Sequence, residues 1–598
     1  MNFQAFRPRN VGLRSLLVAA GLVTLRAGAA DAPAWVAKSN DDANILLKAT
    51  AEFAPEFGTQ TGSTEYDTRV ADLNPGVVAR SRAALVAAEL EMSRRSAAEE
   101  DPQVQQDLSI LMKSGQDQIE TLDLNDKLML NYTDVGQLVF VGEFLLLDDQ
   151  IPAARRPAAL ARLRKYVGME PGTTPVTELA KALYLESAKN PKLIAPYKGD
   201  IEQQLSNIDH YAAGIRKLYA KYGLDKAEGA PAALDAMEKQ LADYADWMRS
   251  TVLPKARPDF HLPPEIYADD LKNVGLEISP QELIEKAQIA FGEIRNEMRA
   301  IAPLVAKENN FPDPDYRAVI KALKKSQLTK ADVEPWYSEV LGHLEDDIRR
   351  EKIVTLPDRA MVMRMASDAE TAQQPAPHML PPPLIGNTGE RGTFVLTTGK
   401  LPEAGSKELL YDDFTFKAAA WTLTAHEGRP GHELQFSAMV ERGVSVARSI
   451  FAFNSVNVEG WALYCEAQMK PYEPLDGQLI ALQHRLMRAT RAFVDPMLNL
   501  GLMTRDRAHD IMTQDVCLSE ALAQEELDRF MFRAPGQATS YFYGYQKLME
   551  LRTSTEIALG PKFNLRAFND FIIGQGLLPP TLLAKAVHDQ FIPSQLKG

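Results

Sequence analysis

Cysteine is nearly absent from this sequence. Only Cys465 and Cys517 occur among 598 residues, so no disulfide framework can support the fold. One disulfide between the two is allowed but not implied, and no thiol lies near the N-terminus to carry a lipid. The chain must depend on hydrophobic cores, for which its 45% hydrophobic and 24% charged residues are sufficient.

Long apolar runs and long runs of one charge are missing as well. Beyond the N-terminus the best apolar run is Leu138–Leu147, which Glu143 interrupts, whereas a spanning helix needs about 18 apolar residues. The formal net charge of -14 is spread along the chain, which argues against a nucleic-acid partner. No fixed-period repeat is visible, which argues against a solenoid. We expect a soluble mature protein without a membrane span.

Residues 1–30 differ in composition from the rest of the chain. Arginines precede an apolar run from Leu16 to Leu25, and an A-x-A pattern follows at Ala27–Ala29. This order predicts a secretory signal peptide cut near Ala29 or Ala30, and therefore an exported protein, periplasmic or secreted. The alternative is a short amphipathic or membrane-anchoring N-terminus.

Helical spacing of apolar residues dominates from about residue 40 to 370. It is clear at Val78–Met92, Ile201–Tyr222 and Leu234–Leu253. Ser279 followed by Pro280 and Glu282 forms a capping box that opens a helix over Glu282–Ile301. We therefore take residues 31–374 as an N-terminal helical region.

The composition changes after this region. Pro375–Pro383 holds five prolines in nine residues and cannot be helical, so residues 375–392 are predicted to be an extended connector. Thr393–Thr397 is the clearest strand of the chain. Helical spacing returns from about Asp412, and residues 393–598 form a second helical region that carries the chemical motifs. Together the two regions are expected to form one compact unit with two lobes.

Two of the nine histidines stand six residues apart, and a carboxylate follows the first: His426, Glu427 and His432. A zinc peptidase needs two imidazoles on the metal and a carboxylate beside them. On an unbroken helix this spacing separates the imidazoles by about 240°. Pro430 lacks an N–H group and Gly431 is conformationally free, so the helix must bulge or break there. The alternative is a Pro-Gly helix stop with two surface histidines.

Two carboxylates, Glu459 and Glu466, lie seven residues apart on one face of a mostly apolar helix. Buried carboxylates need a cation or hydrogen-bond donors. The third zinc ligand of a gluzincin is a glutamate on a later helix, the place that Glu459 occupies. Glu466 would then orient an imidazole through its free N–H. The alternative is an ordinary salt-bridged pair.

Tyr541, Tyr545 and Arg552 share one stripe of a later helix. A phenol can donate a hydrogen bond to the oxyanion of a tetrahedral intermediate, and an arginine can hold a peptide carboxylate. A stripe of this kind also occurs where an amphipathic helix borders a core.

Four segments, taken in order, resemble the bacterial domain-of-unknown-function 885 family: His426–Gln435 (HEGRPGHELQ), Glu459–Glu466 (EGWALYCE), Arg485–Asp495 (RLMRATRAFVD) and Pro535–Tyr541 (PGQATSY). That family is similar to the thimet-oligopeptidase and carboxypeptidase Taq metallopeptidases. The resemblance implies a mainly α, two-lobed protein with a deep central channel, one small β-sheet and one zinc ion per chain. One departure is visible, because the family often reads D-T-G-L-H where this chain has Asp495-Pro496-Met497-Leu498-Asn499.

The resemblance also implies roles for individual residues. The zinc positions match His426, His432 and Glu459. Glu427 matches the general base. Tyr541 matches the family's tyrosine, whereas the thimet-type Tyr-Gly-Tyr arrangement favours Tyr545 as the oxyanion donor.

The predicted function is zinc-dependent hydrolysis of peptide bonds in short or unfolded peptides. Zinc would polarise the scissile carbonyl, and Glu427 would move the proton from water to the leaving amine. Thr393–Thr397 would align the substrate by strand addition along the channel, and Arg552 would recognise a free C-terminus. The alternatives are a non-catalytic peptide- or metal-binding protein of the envelope, and a hydrolase of non-peptide amides.

Overall fold

The structure is a computed structural model that describes residues 33–398 and 411–597. Within these ranges the chain is mainly helical, as predicted, with one small sheet. None of the described helices combines the length and the apolar character that a membrane crossing requires. The predicted signal peptide lies outside the described residues.

The helices before the sheet make up most of the first half of the chain. They are α1 (Ala34–Ala51), α2 (Pro55–Thr61), α3 (Val77–Ala98), α4 (Pro102–Leu128), α5 (Val135–Phe144), α6 (Pro157–Tyr166), α7 (Val176–Ser187), α8 (Lys198–Lys221), α9 (Ala230–Trp247), α10 (Pro264–Val274), α11 (Pro280–Glu308), α12 (Tyr316–Leu323) and α13 (Lys330–Glu351). A short helix, α14 (Asp368–Gln373), lies between two strands of the sheet.

The helices after the sheet carry the chemical motifs. They are α15 (Ala419–Glu427), α16 (His432–Glu441), α17 (Ser455–Met469), α18 (Leu475–Asn499), α19 (Arg505–Asp510), α20 (Glu520–Asp528), α21 (Ser540–Leu559), α22 (Leu565–Gly574), α23 (Pro580–Ala586) and α24 (Ile592–Lys597).

The periodic stretches are helical where the sequence predicts helices, in α3, α8 and α9. The capping serine is also in place, because Ser279 Oγ accepts a hydrogen bond from the backbone N–H of Glu282 at 3.2 Å. The helix α11 begins at Pro280, inside the predicted cap, and continues to Glu308. Sequence periodicity therefore located these elements and underestimated the length of α11.

The sheet has three strands, β1 (Val362–Met365), β2 (His378–Leu380) and β3 (Thr393–Leu396), in the order β1-β3-β2. β1 runs parallel to β3 and β2 runs antiparallel to it. The strand predicted at Thr393–Thr397 exists, but the strand addition predicted for it requires an edge strand. β3 is central and all four residues are buried, so it cannot accept a substrate strand.

The strands β1 and β2 correct two further expectations. β1 lies within the stretch that was predicted to be helical almost throughout, from about residue 40 to 370. β2 lies inside the proline-rich connector, between Pro377 and Pro381. Proline is tolerated on an edge strand because its missing backbone N–H would point away from the neighbouring strand. Part of the connector is therefore a strand, and this strand completes the sheet.

Two large hydrophobic cores are buried in the described residues. The first combines side chains from the N-terminal helices, such as Leu46 and Leu108, with side chains of the motif-bearing helices, such as Leu486. The second is built mainly from residues 73–252. The first core contains residues from both sides of the connector predicted at 375–392.

Helices α17 and α21 cross at two glycines, and this crossing positions the candidate site. A Cβ atom added to Gly460 would collide with the backbone of Gly544, and one added to Gly544 would collide with the carbonyl of Val456. Only glycine permits this approach. As a result, Glu459 on α17 is brought close to the helix that begins near Tyr541.

Candidate metal centre

The histidine motif is divided between two helices rather than carried by one. α15 ends at Glu427 and α16 begins at His432, with a cis peptide bond between Arg429 and Pro430. A Cβ atom at Gly431 would collide with the carbonyl oxygens of the preceding helix, so glycine is required at this position. The predicted distortion at Pro430-Gly431 is therefore a complete break of the helix.

A buried charge network holds this break on one side. The side chain of Arg429, which is fully buried, donates to Glu433 at 2.8 Å and to Glu345 at 2.6 Å. Glu433 also accepts from Arg359 at 2.8 Å and from Ser437 at 3.0 Å. Because the desolvated charges are paired and hydrogen-bonded, the network fixes the start of α16 and with it His432.

Helix α17 holds the same break from the other side. The carbonyl oxygen of Pro430 accepts a hydrogen bond from Nε1 of Trp461 at 3.0 Å and from the thiol of Cys465 at 3.3 Å. Cys465 and Cys517 are both buried free thiols, so no disulfide joins them. These contacts fix the distance between His432 and Glu459, which lies on α17.

The three predicted ligands converge at one point. Oε2 of Glu459 lies 3.4 Å from Nε2 of His426 and 3.3 Å from Nε2 of His432, and the three ligand atoms lie within 4.8 Å of one another. All three side chains are buried. Ligands about 2.1 Å from a tetrahedral zinc ion lie about 3.4 Å apart, so this arrangement fits zinc.

Glu466 lies behind the first histidine, where the sequence predicted it. Its Oε1 atom is 2.6 Å from Nδ1 of His426, and its Oε2 atom accepts from Thr422 at 2.7 Å. Burial by itself would raise the pKa of Glu466, but Arg488 and His426 lower it to about 2. A charged carboxylate at Nδ1 directs the lone pair of Nε2 toward the other two ligands.

The carboxylates of the cluster carry negative charge that neutral imidazoles cannot balance. Burial alone lowers the pKa of His426, but the carboxylates of Glu427, Glu459 and Glu466 outweigh burial and raise this pKa to about 9. The environment therefore favours a positive charge between the imidazoles. A bound divalent cation would supply that charge and leave both rings neutral.

Glu427 differs from the other carboxylates of the cluster by its exposure. Its side chain retains 11% of its accessible surface, whereas the side chains of Glu459 and Glu466 retain 2% and 3%. Oε1 of Glu427 lies 3.8 Å from Nε2 of His426. The carboxylate is therefore beside the ligand atoms and still accessible to small molecules, as a general base requires.

Tyr541 is the tyrosine that reaches the centre. Its ring stacks on that of His426 with centroids 6.1 Å apart, and its hydroxyl oxygen accepts a hydrogen bond from Arg529 at 2.9 Å. Burial raises the pKa of Tyr541 more than the neighbouring arginines lower it. The phenol therefore keeps its proton and can donate it in a hydrogen bond to a third group.

Tyr545 and Arg552 have other described contacts. The guanidinium of Arg485 covers the ring of Tyr545 at 5.4 Å. Arg552 lies about 16 Å along α21 from Tyr541, where it donates to Glu556 at 2.7 Å and to Tyr464 at 3.4 Å. Of the two tyrosines, the geometry favours Tyr541 for the oxyanion. Recognition of a C-terminus by Arg552 stays a prediction.

Two residues near the cluster were not assigned a role from the sequence. Asp495, fully buried, accepts from the backbone N–H of Gly536 at 3.0 Å and from Tyr267 at 2.9 Å, which fixes the turn before Tyr541. His378 on β2 is buried, and the electrostatic effect of Glu427 on it opposes the lowering of its pKa by burial. Asp495 ends the motif Arg485–Asp495, but its role was not visible in the sequence because its partner Gly536 is 41 residues away.

The fold and the site together define a mainly α protein with a buried cluster of two histidines and a glutamate. The chain belongs to the bacterial family of proteins of unknown function, DUF885, whose profile matches residues 55–587. No curated protein matches this chain.

Two solved structures are similar to this chain over nearly its full length. One is a protein from Colwellia psychrerythraea with a TM-score of 0.74 and 18% identity, matched over 94% of this chain and 100% of its own. The other, from Shewanella oneidensis and of unknown function, has a TM-score of 0.67 and 18% identity over 92% and 99% of the two chains. Both are described as a "putative lipoprotein". At this identity the likeness establishes the fold.

Proposed function

We propose that this protein is a zinc-dependent peptidase that cleaves short or unfolded peptides. The observation that supports it best is the convergence of His426, His432 and Glu459, with the accessible carboxylate of Glu427 beside them. A site that only stores metal or binds peptide has no need of a carboxylate next to the ligands. Such a carboxylate is what hydrolysis requires.

Zinc suits the donor set, because two imidazoles and one carboxylate are the ligands of many catalytic zinc sites, which keep one further position open. When bound, zinc would supply a Lewis acid that polarises the scissile carbonyl and acidifies water. His426 and His432 would bind through their Nε2 atoms, since both face Glu459. Glu466 would hold His426 in the tautomer with hydrogen on Nδ1.

The proposed chemistry assigns one proton path and one oxyanion donor to the chain. Glu427 takes a proton from the attacking water and passes it to the leaving amine. Tyr541 donates its phenolic hydrogen to the developing oxyanion, while Arg529 binds the phenol oxygen and holds the ring in place. Burial around the cluster excludes bulk water and strengthens both interactions.

The Tyr541→Phe variant is expected to lower kcat by about a hundredfold with little change in KM, because the donated hydrogen bond forms only in the transition state. Tyr545→Phe is the matched control, a phenol on the same helix one turn away, and should stay within about threefold of wild type. Steady-state kinetics on one peptide substrate measures both. An equal loss in the two variants would contradict the choice of Tyr541.

The function itself is tested with a mixed library of short peptides and the full chain loaded with zinc. Mass spectrometry is expected to detect cleavage that stops on chelation and returns when zinc is restored. A zinc-loaded protein that cleaves no peptide would contradict the proposal. Cleavage that persists after all zinc has been removed would contradict the metal dependence.

The place of action is proposed to be the cell envelope or its exterior. The predicted signal peptide and the names of the two similar structures support this proposal. Peptides of the envelope would then be the natural substrates.

A further inference from the structure

Three arginines surround the ring of Tyr541. Their guanidinium carbons lie 5.6 Å (Arg488), 4.7 Å (Arg491) and 5.4 Å (Arg529) from its centroid. Two of them stand on α18, on the face that also carries Asp495. Because the Tyr541 ring stacks on His426, these cations lie beside the candidate metal centre.

Two of these arginines have matched partners. Arg491 makes two hydrogen bonds to the carboxylate of Glu526, one of them at 2.7 Å. Arg529 donates to Gln537 and to Tyr541, and it lies 3.5 Å from Glu526. The positions of both guanidiniums are explained by contacts within the chain.

Arg488 is different. It is 4% exposed, and its Nε and Nη1 atoms are buried with no hydrogen-bond partner among the described residues. Its nearest carboxylate is Glu466, 3.5 Å from Nη2, and that oxygen is already 2.6 Å from His426. No other described arginine has two buried nitrogens without a partner. Unpaired donors on a buried cation are costly, and an incoming anion would satisfy them.

We propose that Arg488 is the anion-recognition residue of this site, and that the preferred substrates carry a carboxylate close to the scissile bond. This inference rests on the proposed peptidase function and specifies its substrates. The carboxylate has two possible sources, a free C-terminus or an acidic side chain. Either source can present a carboxylate oxygen to an unpaired N–H of the planar guanidinium, which is a charge-assisted hydrogen bond.

The test compares four matched peptides on the full, zinc-loaded chain. In the first pair, one peptide ends in a free carboxylate and the other in an amide. In the second pair, one peptide has Asp next to the cleaved bond and the other has Asn. Wild type is expected to prefer at least one acidic member of the pairs, and the preferred pair identifies the source. Arg488→Gln should raise KM for that peptide by roughly tenfold to a hundredfold and leave its neutral analogue within about threefold.

Arg488→Lys and Arg485→Gln are the matched variants. Lysine keeps the charge but not the planar fork, so the preference should fall only in part. Arg485 lies three residues earlier on α18 and covers Tyr545, and its removal should leave the preference for the acidic peptide unchanged. If Arg488→Gln slows acidic and neutral peptides equally, Arg488 acts by positioning Glu466, and the inference is overturned.

A binding measurement separates this inference from the peptidase proposal. Calorimetry with zinc-loaded Glu427→Gln protein should show tighter binding of the acidic peptide than of its neutral analogue. Adding Arg488→Gln should remove that difference. Equal binding of the two peptides by the Glu427→Gln protein overturns the inference, whether or not wild type cleaves peptides. Absence of cleavage together with the expected binding difference would reject the peptidase and keep Arg488 as an anion receptor.

Discussion

Glu427→Gln is expected to lower kcat on any cleaved peptide by about a thousandfold while zinc stays bound at one ion per chain. The amide cannot accept the proton of the attacking water, and a positioned general base contributes roughly 10²–10⁴ to rate. Glutamine has nearly the same volume as glutamate. Because Glu427 is not one of the proposed metal ligands, the substitution removes no ligand. Kinetics together with metal analysis of the same preparation checks the expectation.

Two further variants make this result specific. Glu427→Asp keeps a carboxylate on a side chain that is shorter by one methylene group. The activity of this variant should therefore lie between those of wild type and the glutamine variant. Glu520→Gln removes a surface carboxylate that pairs with His509 and should leave the activity unchanged. Full activity of Glu427→Gln with zinc bound would show that another group accepts the proton.

His432→Ala is expected to lower zinc affinity by roughly a hundredfold to a thousandfold, so that the purified variant contains little zinc and cleaves no peptide. Structural zinc sites with four ligands bind with about 10–16 kcal/mol in total, so one ligand accounts for about 2.5–4 kcal/mol. Metal analysis and a competition titration with a chelator measure the loss. Circular dichroism checks that the helices remain.

His509→Ala serves as the matched control for the histidine variant. His509 lies on α19, outside the cluster, and its Nε2 atom is 2.5 Å from Glu520. The zinc content of this variant should equal that of wild type. Unchanged zinc in His432→Ala would remove His432 from the site. It would also leave the helix break at Pro430-Gly431 without a chemical purpose.

Much of the fold followed from periodicity, because a helix places every third or fourth residue on one face. The helices α3, α8 and α9 and the cap of α11 were found in this way. The strand β3 was also found, but the role predicted for it was wrong because it is buried on both faces. β3 reads Thr-Phe-Val-Leu without alternation, and this uniform burial is the mark of a central strand. The predicted addition of a substrate strand needs an edge strand, and it ignored that signal.

The sequence by itself determined which groups are available for chemistry and that the helix cannot continue through Pro430 and Gly431. These are local properties, because the missing N–H group of proline and the missing Cβ atom of glycine act on the nearest turns. The order of His426, His432 and Glu459 along the chain was also visible. Their role as zinc ligands stays a prediction.

Only the tertiary structure decided how far the broken ends separate and which side chains meet across them. The hydrogen bonds from Trp461 and Arg429 fix the break, and the contact of α17 with α21 brings Tyr541 to His426. The unpaired nitrogens of Arg488 became visible in the same way. Such contacts join residues far apart in the chain, and spacing along a sequence carries no information about the distance between them in space.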